Sequence, residues 1–247
     1  MRWLLVFLIS FTCTPTSAES VPFKLAVLGA STACGTGASS LEKAYPALLA
    51  TELRSIVGRP VELHNQCRGG AISFLHLYVL QSQILPLQPD LLILHVGTLD
   101  MLFGEDSKKL GEHSIDEMFR IARASRIPTI ILYFPTRYAE LPRDTIYKFA
   151  QRYRLPVADA GLVASDQALS LTDLTTDNVH ANDAGHKLIA QTILYAFRQT
   201  SRIRVGQPSL AVASIHTKPC KNGCSVQARS LVLLLEAGES IVNFEYR

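Results

Sequence analysis

Short apolar runs alternate with longer amphipathic segments along most of the chain. Five of these runs are rich in leucine or β-branched residues and have the length of buried strands. They cover residues 24–28, 61–64, 91–96, 129–134 and 156–158. Because segments with helical spacing lie between them, the pattern predicts an α/β fold with a mostly parallel, five-stranded sheet.

Three of the intervening segments carry an apolar stripe at helical spacing. The first stripe ends at Gly58, a residue type that commonly terminates helices, and the last begins after Asn182 or Asp183. Each stripe predicts a helix that packs on the sheet. The stripes consist of Leu49, Leu53, Ile56 and Val57; of Ile115, Met118, Phe119 and Ala122; and of Leu188, Ile189, Thr192, Ile193 and Phe197.

The two ends of the chain depart from this pattern. Residues 1–18 carry one early positive charge, a short apolar stretch and then small residues, an order typical of a signal peptide cleaved after Ala18. A retained anchor is the alternative, but the stretch is shorter than the roughly 20 apolar residues of a spanning helix. We therefore expect an exported protein, periplasmic or secreted, that does not span the membrane after cleavage. Its main domain covers residues 19–200, and a small C-terminal β-rich appendage covers residues 201–247.

The composition indicates a folded protein without affinity for nucleic acid. Of the 247 residues, 48% are hydrophobic, which is enough for a sizeable core. The net charge is only +3, and the lysines and arginines are scattered among acidic residues without a basic run. No nucleic-acid partner is therefore expected.

The cysteines fit an exported chain. Four remain without the leader, an even number that permits disulfides in an oxidising compartment. Cys220 and Cys224 flank Asn222 and Gly223, which can form a tight turn that brings the two sulfur atoms together. A zinc site is the alternative for this spacing, although no second pair of Cys or His residues lies nearby.

A serine follows the first predicted strand, in the sequence Gly29-Ala30-Ser31-Thr32. In an open parallel sheet, ligands bind beyond the carboxyl ends of the strands, so this turn would expose Ser31 in a cleft. The stretch lacks the lysine of a phosphate-binding P-loop and the glycine spacing of a dinucleotide fingerprint. Taken alone, a Gly-x-Ser turn is more often a helix cap than a nucleophile.

Two further segments carry residues suited to catalysis. Asp177 precedes His180 by three positions in a loop before the last predicted helix. A serine hydroxyl needs a base to take its proton, and an imidazole base needs a carboxylate to orient it. This one loop can supply the imidazole and the carboxylate. A capping aspartate and a surface histidine are the alternative. Gly69 and Gly70 follow the second strand, where backbone N–H groups can approach an oxyanion or form an ordinary turn.

The order of these pieces resembles the SGNH, or GDSL, hydrolase family. That family has a Gly-Asp-Ser block near the mature N-terminus, a glycine block after the second strand, a Gly-x-Asn-Asp block after the third, and Asp-x-x-His near the end. The resemblance extends from about residue 23 to residue 200, and its last block is the most specific. The matching segments are Gly29-Ala30-Ser31, residues 65–70, Gly97-Thr98-Leu99-Asp100, and Asp177 with His180.

The resemblance implies a flavodoxin-like, three-layer αβα sandwich and a Ser-His-Asp mechanism. Ser31 would attack an ester carbonyl, His180 would act as base and then as acid, and Asp177 would orient the imidazole. The backbone N–H groups of Ser31 and Gly70 would form the oxyanion hole. Neither a cofactor nor a metal ion is expected.

Two departures from the family pattern concern the site. Ala30 replaces an aspartate that chiefly supports the turn. Leu99 replaces the asparagine that donates the third oxyanion hydrogen bond, and leucine has no donor. Losing one such donor typically lowers turnover about 100- to 1,000-fold, so slow catalysis should persist. Asn65, Thr98 and His95 are the candidates for a replacement donor, and the sequence does not rank them, although His95 is expected to be a strand residue with a hydrogen-bonded ring.

Two cysteines belong to blocks that the resemblance brings together. Cys34 lies three residues after Ser31, and Cys67 lies three residues before Gly70. We therefore predict a disulfide between Cys34 and Cys67 that braces the site. A catalytic Cys34 is the alternative.

The resemblance predicts hydrolysis of an ester or acetyl group. Small-molecule, glycan and lipid esters all suit the family, including acetylated cell-wall sugars and lysophospholipids. The alternative, suggested by Leu99 and Ala30, is a pseudoenzyme that binds an acylated glycan or a protein partner. Retention of all three triad residues favours the enzyme.

Overall fold

The structure is a computed structural model that describes residues 20–137, 141–204, 231–234 and 241–242. The predicted leader and the Cys220–Cys224 pair lie outside these ranges. The strands are β1 (Phe23–Gly29), β2 (Val61–Cys67), β3 (Leu91–His95), β4 (Thr129–Tyr133), β5 (Val157–Asp159), β6 (Leu231–Leu234) and β7 (Ile241–Val242). The α-helices are α1 (Tyr45–Val57), α2 (Ser73–Val79), α3 (Glu105–Ser125), α4 (Arg143–Arg152), α5 (Ala160–Asp166), α6 (Leu171–Leu174) and α7 (Asp183–Arg204). Short 3₁₀ segments lie at Leu41–Lys43 and Leu85–Leu87, and a π-helical turn at Leu80–Ile84 continues α2.

The first five strands are parallel and lie in the order β2-β1-β3-β4-β5. This is the flavodoxin-like order, in which the direction of winding reverses between β1 and β3. The predicted fold class and the five strands are therefore confirmed. The sheet continues with β6 and β7, both antiparallel. Since α7 runs to Arg204, the helix passes the predicted domain boundary at residue 200, and the division of the chain stays a prediction.

Helices cover both faces of the sheet, so each face has its own core. Alternate residues of a strand point to opposite faces. In β1, Leu25 and Val27 pack with α1, α5 and α7, whereas Ala26 and Leu28 pack with α3, α4 and the π-helical turn. Burial on both faces explains why the central strands are continuous apolar runs.

The end of α1 agrees with its sequence signals. Gly58 adopts the left-handed conformation with φ of +67° and caps the helix, as predicted. Leu49 and Leu53 are fully buried, but Ile56 of the predicted stripe is exposed, and the stripe continues instead at the half-buried Val57. Among the described residues, no helix combines the length and the apolar character needed to cross a membrane.

Candidate active site

The candidate nucleophile lies in a tight turn at the carboxyl end of β1. The turn is closed by hydrogen bonds from the N–H of Cys34 to the Ala30 carbonyl (3.2 Å) and from the N–H of Thr36 to the Ser31 carbonyl (3.1 Å). Ser31 is half-buried. It therefore occupies the edge of the sheet where the winding reverses, which is the usual place for a ligand in this topology.

Ser31, His180 and Asp177 form a connected relay. The Nε2 atom of His180 lies 3.0 Å from the Oγ of Ser31, although the two residues are 149 positions apart in the chain. The Nδ1 atom of His180 lies 2.7 Å from Oδ2 of Asp177. Because an ionised carboxylate only accepts, it holds the proton on Nδ1 and leaves Nε2 free to accept the serine hydroxyl proton.

The Asp177 carboxylate is stabilised in its ionised form. Its Oδ1 accepts the backbone N–H groups of His180 (2.7 Å) and Val179 (3.0 Å). These hydrogen bonds, the backbone N–H of His180 first and then its ring, lower the pKa of Asp177 to about 2. The carboxylate is therefore charged over the whole range in which an imidazole base works.

The loop that carries the aspartate and histidine has a defined local structure. It begins and ends at the antiparallel bridge between Thr175 and Ala181, and the N–H of Thr176 donates to the His180 carbonyl (2.9 Å). Asn178 turns the chain in the left-handed conformation with φ of +66°. Its carbonyl accepts the N–H of Arg137 (2.9 Å), which ties the loop to the segment after β4.

The serine turn and the histidine loop touch through a glycine. Gly37 has φ of +94°, and a Cβ added there would overlap the carbonyl oxygen of Ala181 and lie 3.1 Å from the Cβ of His180. No other residue type fits this position without displacing the histidine loop. The sequence reading missed Gly37 as a site residue.

A charged clamp joins the same two segments. The Asp183 carboxylate lies at the start of α7. It accepts hydrogen bonds from the N–H and the hydroxyl of Ser39, both at 2.8 Å, and forms an ion pair with Lys43 at 2.7 Å. The hydrogen bond from Lys43, followed by those from Ser39, lowers the pKa of Asp183 to about 2. Behind the clamp, the backbone N–H of Tyr45 donates to Nδ1 of His186 (3.2 Å). These contacts fix α7 against the serine turn.

A disulfide joins the serine turn to the end of β2. The structure contains the Cys34–Cys67 bond that the sequence predicts. Beside it, the amide of Asn65 donates to the Ala33 carbonyl (2.8 Å), and the N–H of Arg68 donates to the carbonyl of Gly29 (3.0 Å). The disulfide and the Asn65 hydrogen bond therefore hold the turn that presents Ser31 to β2, and the Arg68 hydrogen bond extends the contact between the ends of β1 and β2.

The glycine block after β2 leaves open space beside its backbone. Gly70 has φ of +75°, and a Cβ added at Gly69 or Gly70 would meet no atom within 4 Å. A ligand oxygen could approach the backbone there without steric conflict. The chemical role of Gly70 stays a prediction.

The buried Asp100 carboxylate holds the start of α2, just after the glycine block, in place. Asp100 accepts the N–H (2.9 Å) and the hydroxyl (2.6 Å) of Ser73, the first residue of α2. The Ser73 hydroxyl in turn accepts the N–H of Gly97 (3.1 Å). Burial raises the pKa of Asp100. The last residue of the Gly-x-Asn-Asp block is therefore a structural link between β3 and α2.

The three replacement donors differ in their environment. The side-chain amide of Asn65 already donates a hydrogen bond to the Ala33 carbonyl. The hydroxyl of Thr98 is buried and has no hydrogen-bond partner within the described part of the chain. The expectation of a hydrogen-bonded ring for His95 is wrong, because neither of its ring nitrogens has a partner among the described residues. Tyr45 packs against this ring instead.

A buried group of histidines lies beneath the serine turn. The backbone of His95 lies so close to Gly29 that a Cβ on the glycine would lie 3.2 Å from the Cβ of His95. Burial, together with the nearby His76 and His186, lowers the pKa of His95 to about 3. This ring is therefore neutral at ordinary pH. The sequence pattern predicted its place in a strand but not its neighbours in space.

Comparison with known proteins identifies a family. A profile of the GDSL-like Lipase/Acylhydrolase family matches residues 27–188, which is more than half of the chain. No curated protein matches the sequence.

Several solved structures are similar in fold. One is a two-domain esterase active on acetylated mannans, with 20% identity and a TM-score of 0.62 over 73% of this chain, but the match spans only 50% of that protein. Another is a psychrotrophic esterase from Pseudoalteromonas sp., with 18% identity and a TM-score of 0.57, covering 72% of this chain and 98% of that one. A third is an acetyl-xylooligosaccharide esterase from Geobacillus, with 17% identity and a TM-score of 0.57, covering 72% and 95% of the two chains.

The solved structures share the fold of this chain, and the family profile shows the family. The family profile begins within β1 and ends within α7, so it includes every segment that contributes to the relay. The chain belongs to the GDSL-like lipase/acylhydrolase family.

Proposed function

We propose that the protein is a serine acyl hydrolase that cleaves an ester or O-acetyl group. The observation that carries the proposal is the relay, in which a hydroxyl, an imidazole and a carboxylate are joined at 3.0 and 2.7 Å. Nucleophile and base already lie at hydrogen-bond distance, and the base is oriented by a third group. Membership of an acylhydrolase family supports the same chemistry.

The reaction would proceed in two halves. Ser31 Oγ attacks the acyl carbon while His180 Nε2 takes the hydroxyl proton, and Asp177 stabilises the imidazolium. The bond to the alcohol oxygen then breaks, and the imidazolium gives its proton to the leaving alkoxide. In the second half, His180 takes a proton from water as that water attacks the acyl-enzyme, and Ser31 is released with its proton restored.

In both halves of the reaction, the negative charge that develops on the carbonyl oxygen needs hydrogen-bond donors. We assign the backbone N–H groups of Ser31 and Gly70 to this role, since the backbone at Gly70 borders open space. Leu99 occupies the place of the residue whose side chain supplies the third donor, and a leucine side chain cannot donate a hydrogen bond. The enzyme is therefore expected to be slower than a relative with asparagine there, by about 100- to 1,000-fold.

A p-nitrophenyl acetate assay tests the proposal. Ser31→Ala should lower kcat by at least about 1,000-fold, because removing the nucleophile leaves only weak residual catalysis. Asp177→Asn should also lower it strongly, since the wrong tautomer of His180 is then favoured. Ser55→Ala is the matched control, because its hydroxyl is exposed on α1 and donates only to the Glu52 carbonyl. Its rate should equal that of the unchanged protein.

The substrate panel should include glycan esters and lipid esters. Two of the structurally similar proteins are described as acting on acetylated mannans and acetyl-xylooligosaccharides. The rates of hydrolysis of acetylated manno- and xylo-oligosaccharides should therefore be compared with those of p-nitrophenyl esters of increasing acyl length.

A second candidate function is binding without turnover, and Leu99 is the observation that favours it. A pseudoenzyme would keep the pocket and bind an acylated glycan or a protein partner. Equal background rates for the unchanged protein and Ser31→Ala, over the whole substrate panel, would support this alternative and refute the hydrolase.

We also propose that the protein is exported. The Cys34–Cys67 disulfide supports an oxidising compartment. Mass spectrometry of the protein recovered outside the cytoplasm should find Glu19 as the first residue. An N-terminus at residue 1 would refute cleavage.

A further inference from the structure

A patch of exposed apolar side chains lies beside the candidate site. Its members are on α2, on the turn before α3 and on α3, and each is 38–69% exposed. Together they expose on the order of several hundred Å², which is large for a soluble monomer and commonly marks a binding surface. We define the apolar patch as Phe74, Tyr78, Met101, Leu102, Phe103 and Leu110.

The three segments of the apolar patch meet at one buried residue. Asp100 accepts two hydrogen bonds from Ser73, and Gly111 packs so closely on it that an added Cβ would overlap the carboxylate. Residues next to these three in the chain must also lie near one another, because consecutive Cα atoms are about 3.8 Å apart. Phe74 follows Ser73, Met101 follows Asp100, and Leu110 precedes Gly111.

The apolar patch is continuous with the candidate oxyanion block. Ser73 is three residues beyond Gly70, and its hydroxyl accepts the N–H of Gly97 at the end of β3. Leu99 is two residues before Met101. A surface that covers the patch would therefore meet the opening in which the acyl carbonyl is expected to lie.

The charges around the apolar patch are balanced. No Asp, Glu, Lys or Arg occurs at residues 69–89, which include all of α2. The exposed Arg68 precedes this range, and Glu112, two residues after Leu110, has the opposite charge. His76 within this range is buried, and burial lowers its pKa to about 4, so it is neutral at ordinary pH. At the start of α3, two acidic residues face two basic ones, and one pair is in contact at 3.7 Å. These four residues are Glu105, Asp106, Lys108 and Lys109.

We infer that the apolar patch binds a neutral, zwitterionic lipid surface and holds the candidate site against it. A single acyl chain would cover only part of the patch, whereas a lipid surface covers all of it. The exposed Tyr78 suits the boundary between lipid and water, where aromatic side chains with a polar end are enriched. A second copy of the chain bound there would cover the approach to Ser31 instead of supplying an ester. The idea that the bound surface supplies the substrate rests on the proposed function, but the binding itself does not.

Flotation with phosphatidylcholine vesicles tests the inference without requiring turnover. The unchanged protein and Ser31→Ala should both float with the vesicles. The Leu102→Ser/Phe103→Ser double variant should bind roughly tenfold more weakly or worse, because two exposed apolar side chains are lost. Phe103→Ser and Val21→Ser form a matched pair, since the two side chains are 69% and 71% exposed. Val21 precedes β1 at the amino ends of the parallel strands, opposite the carboxyl ends that carry the candidate site, and only Phe103→Ser should weaken binding.

Three results would overturn the inference: no flotation of the unchanged protein, equal flotation of Phe103→Ser and Val21→Ser, or binding only to anionic vesicles. A dimer in light scattering that dissociates in the double variant would assign the patch to self-association and would also overturn it. Failure to float together with Ser31-dependent turnover refutes this inference alone. Flotation without turnover on any ester refutes the proposed function alone.

Discussion

Replacing Gly37 by alanine tests whether the contact between the serine turn and the histidine loop aligns the relay. The φ of +94° is unfavourable for an L-residue and costs about 1–2 kcal/mol of stability. The added Cβ would also overlap the Ala181 carbonyl oxygen, which must move by roughly 1 Å to restore van der Waals separation. Because His180 precedes Ala181, the ring is expected to move with it.

Such a movement breaks the hydrogen bond between nucleophile and base. The distance from Ser31 Oγ to His180 Nε2 is 3.0 Å, and an extension of roughly 1 Å takes it beyond hydrogen-bond range. A misplacement of that size lowers turnover by about 100-fold, which corresponds to about 2.7 kcal/mol of activation free energy. We therefore expect kcat of Gly37→Ala for p-nitrophenyl acetate to fall by about two orders of magnitude.

Gly58→Ala separates the effect of the overlap from that of backbone strain. Gly58 also has a positive φ of +67°, but an added Cβ would meet no atom within 4 Å. Urea denaturation should show a loss of stability in both variants, at least as large in Gly37→Ala because of the added overlap, and only Gly37→Ala should lose turnover. A folded Gly37→Ala protein with kcat within about threefold of the unchanged protein would refute the reasoning.

Three further predictions follow from the site and its surroundings. Leu99→Asn should raise kcat for p-nitrophenyl acetate, by as much as about 100-fold if the amide reaches the oxyanion, and an unchanged kcat would contradict the proposed geometry. Reduction of the Cys34–Cys67 disulfide, whose cysteines are 33 positions apart, should lower the free energy of unfolding by about 3–4 kcal/mol in urea titrations. A Cys34→Ser/Cys67→Ser protein, which retains Cys220 and Cys224, should lose this response to reductant, and an equal response would contradict it. Burial lowers the pKa of His95 to about 3 in the folded protein, below the value of 6.5 for the unfolded chain. Below about pH 6.5 the unfolded chain therefore binds a proton that the folded chain does not. The free energy of unfolding should fall as the pH drops through this range, by at most about 1.4 kcal/mol per pH unit from this residue. In urea titrations between pH 7 and 5, His95→Phe should give a shallower pH dependence, and an equal slope would contradict it.

The sequence predicted those features that depend on local pattern. The apolar runs were sufficient for the five strands. Four of them, β1, β3, β4 and β5, are buried on both faces and differ clearly from their flanking segments, whereas β2 at the edge is only partly buried. Ser31 and the Asp177–His180 pair were found because each follows a recognisable turn or loop signal, and the family resemblance supplied their convergence. The end of α1 at Gly58 was also correct, since a glycine in the left-handed conformation is a local device.

The features that the sequence did not reveal depend on segments far apart in the chain. The Asp183 clamp joins residues about 140 positions apart, and its aspartate looked like an ordinary helix start. Gly37 is required by the Ala181 carbonyl, which no local signal connects to it. The helix α2 was not predicted, because its buried residues, Ser73 and His76, are polar and its exposed residues are largely apolar, so it lacks a buried apolar stripe. His95 was expected to have a hydrogen-bonded ring, since burial among other histidines cannot be read from a strand pattern.

The wide separation of the two halves of the relay has a consequence for the order of events during synthesis. The proposed nucleophile leaves the ribosome with the first strand, but its proposed base follows 149 residues later, and Asp183 fixes α7 against the serine turn only after that helix has been made. A chain that stops before residue 180 contains the serine without the imidazole that would activate it. The growing polypeptide therefore stays unreactive toward esters until the final helix of the sandwich has closed against the first turn.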